Sequence, residues 1–134
     1  MDRDIYCGRV RLYGEEHEKT LVTAINYASS LNQLDRFKEA KSLLRKTMPV
    51  ARRVLGDSND ITLKLRLLYG RVLYRDDGAT LDDLREAVTM LEETERTTRR
   101  VMGGAHPDTT NIERDLQTAR VVLRARETPP PGHS

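Results

Sequence analysis

Tryptophan is absent from this 134-residue chain, phenylalanine occurs once and tyrosine five times. So few flat side chains exclude a stacking platform for nucleic-acid bases, and a net charge of +2 supplies no basic footprint for a phosphate backbone. A single cysteine excludes an intramolecular disulfide framework and points to a reducing compartment, so a cytoplasmic location is expected. No apolar run approaches membrane-spanning length, and residues 1–8 lack the apolar stretch of a signal peptide. Chemical signatures are missing as well. No serine sits in a Gly-x-Ser-x-Gly turn, and no Gly-x-x-x-x-Gly-Lys loop is present. Asp76, Asp77, Asp82, Asp83 and Glu86 cluster without the spacing of an EF-hand, and no Cys/His cluster offers a zinc site. The chain is therefore not read as an enzyme. No catalytic residue, cofactor, metal, nucleic acid or membrane is expected.

What is present is charge and leucine. Charged residues make up 33% and apolar residues 37%, a balance that suits a solvated helical surface over a thin core in one domain. Three segments echo one another: Val10-Arg11-Leu12-Tyr13-Gly14, Arg52-Arg53-Val54-Leu55-Gly56 and Arg99-Arg100-Val101-Met102-Gly103. Their glycines lie 42 and then 47 residues apart, and each precedes a Thr at Thr20, Thr62 or Thr109. Phe37, Ala40, Leu44, Thr47, Ala51 and Val54 align with Leu84, Ala87, Leu91, Thr94, Thr98 and Val101 at an offset of 47. Leu31 aligns with Leu73 at 42, which places a five-residue insertion within Tyr74–Asp83.

The steps inside each segment are those of helix faces. Phe37 to Val54 advances by threes and fours, and Leu84 to Val101 repeats it. Leu21, Ala24, Ala28 and Leu31 begin a similar stripe, and Ile112, Leu116, Ala119 and Leu123 mark a last helix. Gly14, Gly56 and Gly103 suit the left-handed position after a helix, Asn59 a cap, and Pro107 a first turn. Thr80 with Asp83 resembles a capping box. His17 and His106 stand at equivalent boundaries and read as caps or packing residues. Helices are expected near 18–33, 36–55, 60–75, 81–102 and 107–126, with residues 1–13 as the second half of an earlier helix. Pro49 withdraws the hydrogen bond to the Arg45 carbonyl and predicts a kink.

This duplicated helix pair resembles the tetratricopeptide-repeat family, and its 42-residue length resembles the kinesin-light-chain type. The boundary motif of that type stands complete in Gly103-Gly104-Ala105-His106-Pro107-Asp108-Thr109 and partly in Gly14-Glu15-Glu16-His17-Glu18-Lys19-Thr20. The body motif appears as Phe37-Lys38-Glu39-Ala40 and again as Leu84-Arg85-Glu86-Ala87. The resemblance implies an all-α fold, an α-solenoid of antiparallel helix pairs forming a tetratricopeptide-like superhelix. One domain is expected over 1–126: a partial helix at 1–13, repeat 1 at 14–56, repeat 2 at 57–103 with the insertion, and a terminal capping helix at 104–126. Residues 127–134 read as a disordered Pro-rich tail.

The resemblance also implies a concave groove that takes a peptide or protein segment, lined by the first helix of each pair. Asn26 matches the family's groove asparagine. The second copy has Leu68 there, and Asp115 falls near that place in the last helix. The surrounding groove positions are Ser29 and Gln33, then Lys64, Arg71 and Arg75, then Asn111 and Arg114. Three cations on one helix favour an acidic segment, held by Arg71 and Arg75. The alternative function is a structural spacer, part of a longer array whose copies stack or oligomerise end to end with no ligand of their own.

Overall fold

The computed structural model describes residues 2–128, and the expectation of a disordered tail falls almost wholly outside them. Six helices follow one another: α1 Asp2–Tyr13, α2 Glu18–Gln33, α3 Phe37–Leu55, α4 Asp60–Arg75, α5 Leu81–Met102 and α6 Pro107–Glu127. Each packs on the next, and α2 touches α4 as α4 touches α6. Among the described residues α1 and α3 make no such contact, and α3 approaches α5 through the ion pair of Lys41 and Asp83 at 4.0 Å and not through backbone packing. The chain is therefore an α-solenoid with α2, α4 and α6 as its inner layer and α1, α3 and α5 splayed outside. That wedge makes the inner face concave.

The same local chemistry starts each inner helix. His17 and His106 accept from the amides of Lys19 and Asp108 through Nδ1, and Asn59 accepts from Ile61 through its side-chain oxygen. The glycines before them adopt φ of 86°, 92° and 88°, a region that a Cβ penalises, and their amides close the preceding helices. Thr20 and Thr109 then donate to the Gly14 and Gly103 carbonyls at 2.7 and 2.8 Å. Thr62, buried at the equivalent place, has no such partner.

Small residues let the helices close on one another. Ala24, Ala28, Ala40, Ala51 and Ala87 are fully buried among Leu21, Leu44, Leu65, Leu73 and Leu91. Gly70 shows the tightest approach: a Cβ there would lie 2.7 Å from Leu91 Cγ. The helix α3 is unbroken across Pro49, an exposed position.

The insertion resolves into two parts. The α4–α5 connection is two residues longer than the α2–α3 connection, and α5 starts three residues ahead of the position equivalent to Phe37. Thr80 and Asp83 form both halves of the capping box on that added turn. Arg126, from the far end of α6, donates to the Ala79 carbonyl at 2.8 Å, and Arg85 pairs with Glu127. The longer α5 is thus matched by a longer α6.

Candidate peptide-binding groove

The 42- and 47-residue offsets lay the inner face out in rows across α2, α4 and α6. One row is Ile25, Leu67 and Arg114; the next is Asn26, Leu68 and Asp115; a third is Ser29, Arg71 and Thr118. A cavity of about 260 Å³ opens on this face near the start of α4 and α6. Ile25, Leu63, Leu67, Leu68, Ile112 and Met102 give it an apolar floor. Asn26 and Ser29 stand on the α2 wall and Asn111 on the α6 wall, with Asp60, Lys64 and Asp108 also lining it. Asn26 and Asn111 are exposed, so their amide groups are open to a ligand's backbone.

Of the eight positions expected to line the groove, the cavity brings together Asn26, Ser29, Lys64, Arg71 and Asn111. Gln33, Arg75 and Arg114 do not line it. Arg75 is drawn away because α2 has no basic residue in its last turn to answer its carbonyls. The Arg75 Nη1 donates to the Asn32 carbonyl at 3.2 Å, Nη2 reaches Asp35 at 3.5 Å, and the guanidinium lies over the Phe37 ring. The Arg114 and Gln33 side chains are exposed on α6 and at the end of α2.

Arg71 does line the cavity, yet its charge is already matched. Nε and Nη2 donate to the two carboxylate oxygens of Asp115 at 3.3 and 2.6 Å, and the Tyr74 hydroxyl donates to the same carboxylate at 2.7 Å. Burial pushes the Tyr74 hydroxyl well above its ordinary range, and the adjoining Asp115 charge adds to this. Burial alone would lower Arg71, but its hydrogen bonds and charge pairing with Asp115 outweigh that, so it is held more firmly protonated. Lys64 meets Asp60 at 3.2 Å, one turn away on the surface of α4. The cationic face expected from the sequence is thus answered by Asp60, Asp115 and Asp35.

Sequence reasoning missed the floor. Leu67 and Ile25 share one row at the offset of 42, and apolar spacing alone does not separate a groove position from a core position, so the sequence marks neither as lining the groove. Met102 and Thr98, which close one end, come from the outer helix α5. The insertion lies at the other end of α4 and contributes nothing to the cavity. Among the described residues no group of His, Cys, Asp and Glu could hold a metal, and no helix is long and apolar enough to cross a membrane.

Residues 20–60 match the family model described as a tetratricopeptide repeat. No curated protein and no solved structure matches the chain. The match runs from the first turn of α2 through α3 to the first residue of α4, one complete helix pair, and α4–α5 repeats its pattern at the offsets above. Over α2 and α3 the chain is thus similar to a tetratricopeptide repeat, and its all-helical solenoid continues that pattern through α4 and α5.

Proposed function

We propose that this chain is a protein-interaction module of the 42-residue, kinesin-light-chain type, which holds a peptide segment on its concave face. The observation that carries the reading is the cavity between α2, α4 and α6, with an apolar floor and exposed amides on opposite walls. An extended peptide satisfies such a site by burying one apolar side chain on Leu63, Leu67 and Ile112 while Asn26 and Asn111 bond its backbone. A preference for acidic segments rests on Lys64, whose exposed pair with Asp60 is weak enough for a ligand carboxylate to displace. Arg71 and Arg75 take no part while their internal partners hold them. The single cysteine favours the cytoplasm as the place of action.

A peptide array probed with the full chain tests this, followed by fluorescence anisotropy on the enriched sequences. The expected class carries an apolar anchor beside acidic residues. Replacing Asn26 and Asn111 together by Ala should weaken binding about tenfold or more, because each loses hydrogen bonds worth about 1 kcal/mol, with the melting temperature unchanged. No enriched class would leave the spacer reading in its place, and unchanged affinity in the double variant would overturn the backbone contacts assigned to Asn26 and Asn111.

A further inference from the structure

The outer face of α1 carries an arrangement that the groove does not use. The helix packs on α2 alone, through Tyr6 and Val10. On another face Ile5, Gly8 and Leu12 fall at steps of three and four, which aligns them in one stripe. Ile5 is 49% and Leu12 76% exposed, and a Cβ at Gly8 would meet nothing within 4 Å. Along one flank of the stripe stand Asp4 and Arg11, seven residues apart, both exposed and neither ion-paired among the described residues. Acid at one end, base at the other and an open glycine between them form a pattern complementary to itself when reversed.

We propose that α1 is an isologous contact through which two copies of this chain pair antiparallel. A two-fold axis near Gly8 brings Ile5 of one copy to Leu12 of its partner, and the reverse. In an antiparallel helix pair like flanks meet, so Asp4 lies beside Arg11 of the partner subunit twice per dimer. Gly8 lets the two axes approach where they cross. The opposite end of the solenoid is less suited to association. There Gln117 and Arg120 are exposed on α6 around a single exposed Val121, and Arg120 is bound to Glu92 of α5, so end-to-end stacking finds a mostly polar surface without a stripe of apolar residues. A helix of 12 residues is about 18 Å long, too short for the roughly 800 Å² per partner of a stable dimer. The pairing is therefore reversible and concentration-dependent. The distribution of charge along α1 also suits its own dipole, and the test separates the two roles.

Sedimentation velocity of the full chain over a concentration series should show a monomer–dimer equilibrium that Leu12→Glu abolishes. Asp4→Arg should weaken it about tenfold by opposing like charges, and adding Arg11→Asp should restore it to within about threefold, although the double change opposes the helix dipole. Gly8→Cys in a Cys7→Ser background should oxidise to a symmetric disulfide-linked dimer, a readout that keeps the native charges. A chain monomeric at every concentration overturns the proposal. So does a dimer indifferent to Leu12→Glu, a double variant no better than Asp4→Arg alone, or an engineered thiol that does not cross-link.

Discussion

Arg71 of α4 holds both carboxylate oxygens of Asp115 of α6 across 44 residues of chain. The pair joins two helices of the inner layer that share few other polar links, and Tyr74 completes it from the next turn of α4. Asp115 is 7% exposed, whereas the Arg71 side chain keeps about a third of its surface open to the groove. One partner is therefore structural and the other stands at the edge of the candidate site. A single interaction ties α6, already packed on α5, to α4 and withholds a cation from the ligand.

Replacing Asp115 with Ala should move two readouts in opposite directions. Unfolding in urea should show a loss of about 2–3 kcal/mol, because Tyr74 and Arg71 lose their buried acceptor while water partly solvates Arg71. Affinity for acidic peptides should rise, because the freed guanidinium faces the cavity. A stability loss with unchanged peptide affinity would show that Arg71 does not reach the ligand.

The imidazole caps give a second prediction. His106→Ala removes the acceptor for the Asp108 amide and should destabilise the chain by about 1 kcal/mol. His106→Asn should recover most of that loss, since Asn59 already caps α4 in the same geometry. Thermal melting of the three proteins measures it, and equal loss in both variants would mean that ring packing matters more than the hydrogen bond.

The helices were legible because three signals agree wherever an outer helix gives way to an inner one: the step of threes and fours, a glycine after the outer helix, and a capping side chain before the inner one. The observed ends lie within a residue of those expected for the five complete helices. The groove was legible only as positions. Asn26 was placed by the family resemblance, and the repeat offset relates Lys64 to Asn111. The engagement of Arg71 and Arg75 was not legible, because Asp115 and the Asn32 carbonyl are brought to them by packing across more than forty residues. Leu67 and Leu68 differ by one step on the same helix, yet both meet the cavity. The repeat offset carries the place of Asn26 to Leu68, but spacing gives no means of separating Leu67 from the core stripe of Leu65 and Val72.

Gly70 and Leu91 form a coupled pair. Gly70→Ala places a methyl group where Leu91 Cγ would be 2.7 Å away, so α4 and α5 must separate or Leu91 must change rotamer. A loss of about 1–3 kcal/mol is expected from such overpacking. Leu91→Ala alone should cost about 2–5 kcal/mol through the cavity it leaves. In the double variant the new methyl enters that space, so the total should fall at least 1 kcal/mol short of the sum of the single effects. Additive losses in a denaturant double-mutant cycle would contradict the close approach.

The last prediction concerns the matched lengthening of α5 and α6. In α4 the helix ends at Arg75, and the equivalent position in α6 is Val122, so the five residues to Glu127 extend beyond the repeat pattern. That extension supplies Arg126 to the Ala79 carbonyl and Glu127 to Arg85, covering the turn that the insertion adds to α5. Ending the chain at Val122 should therefore release residues 79–85, with faster amide hydrogen exchange there by about tenfold, equivalent to about 1.4 kcal/mol of local stability. Exchange across Leu63–Arg71, which lines the groove, should change little, because the insertion and the cavity lie at opposite ends of α4. Uniform acceleration along the whole chain would mean instead that the extension supports global stability, and that α6 does not act as a local cover for the added turn.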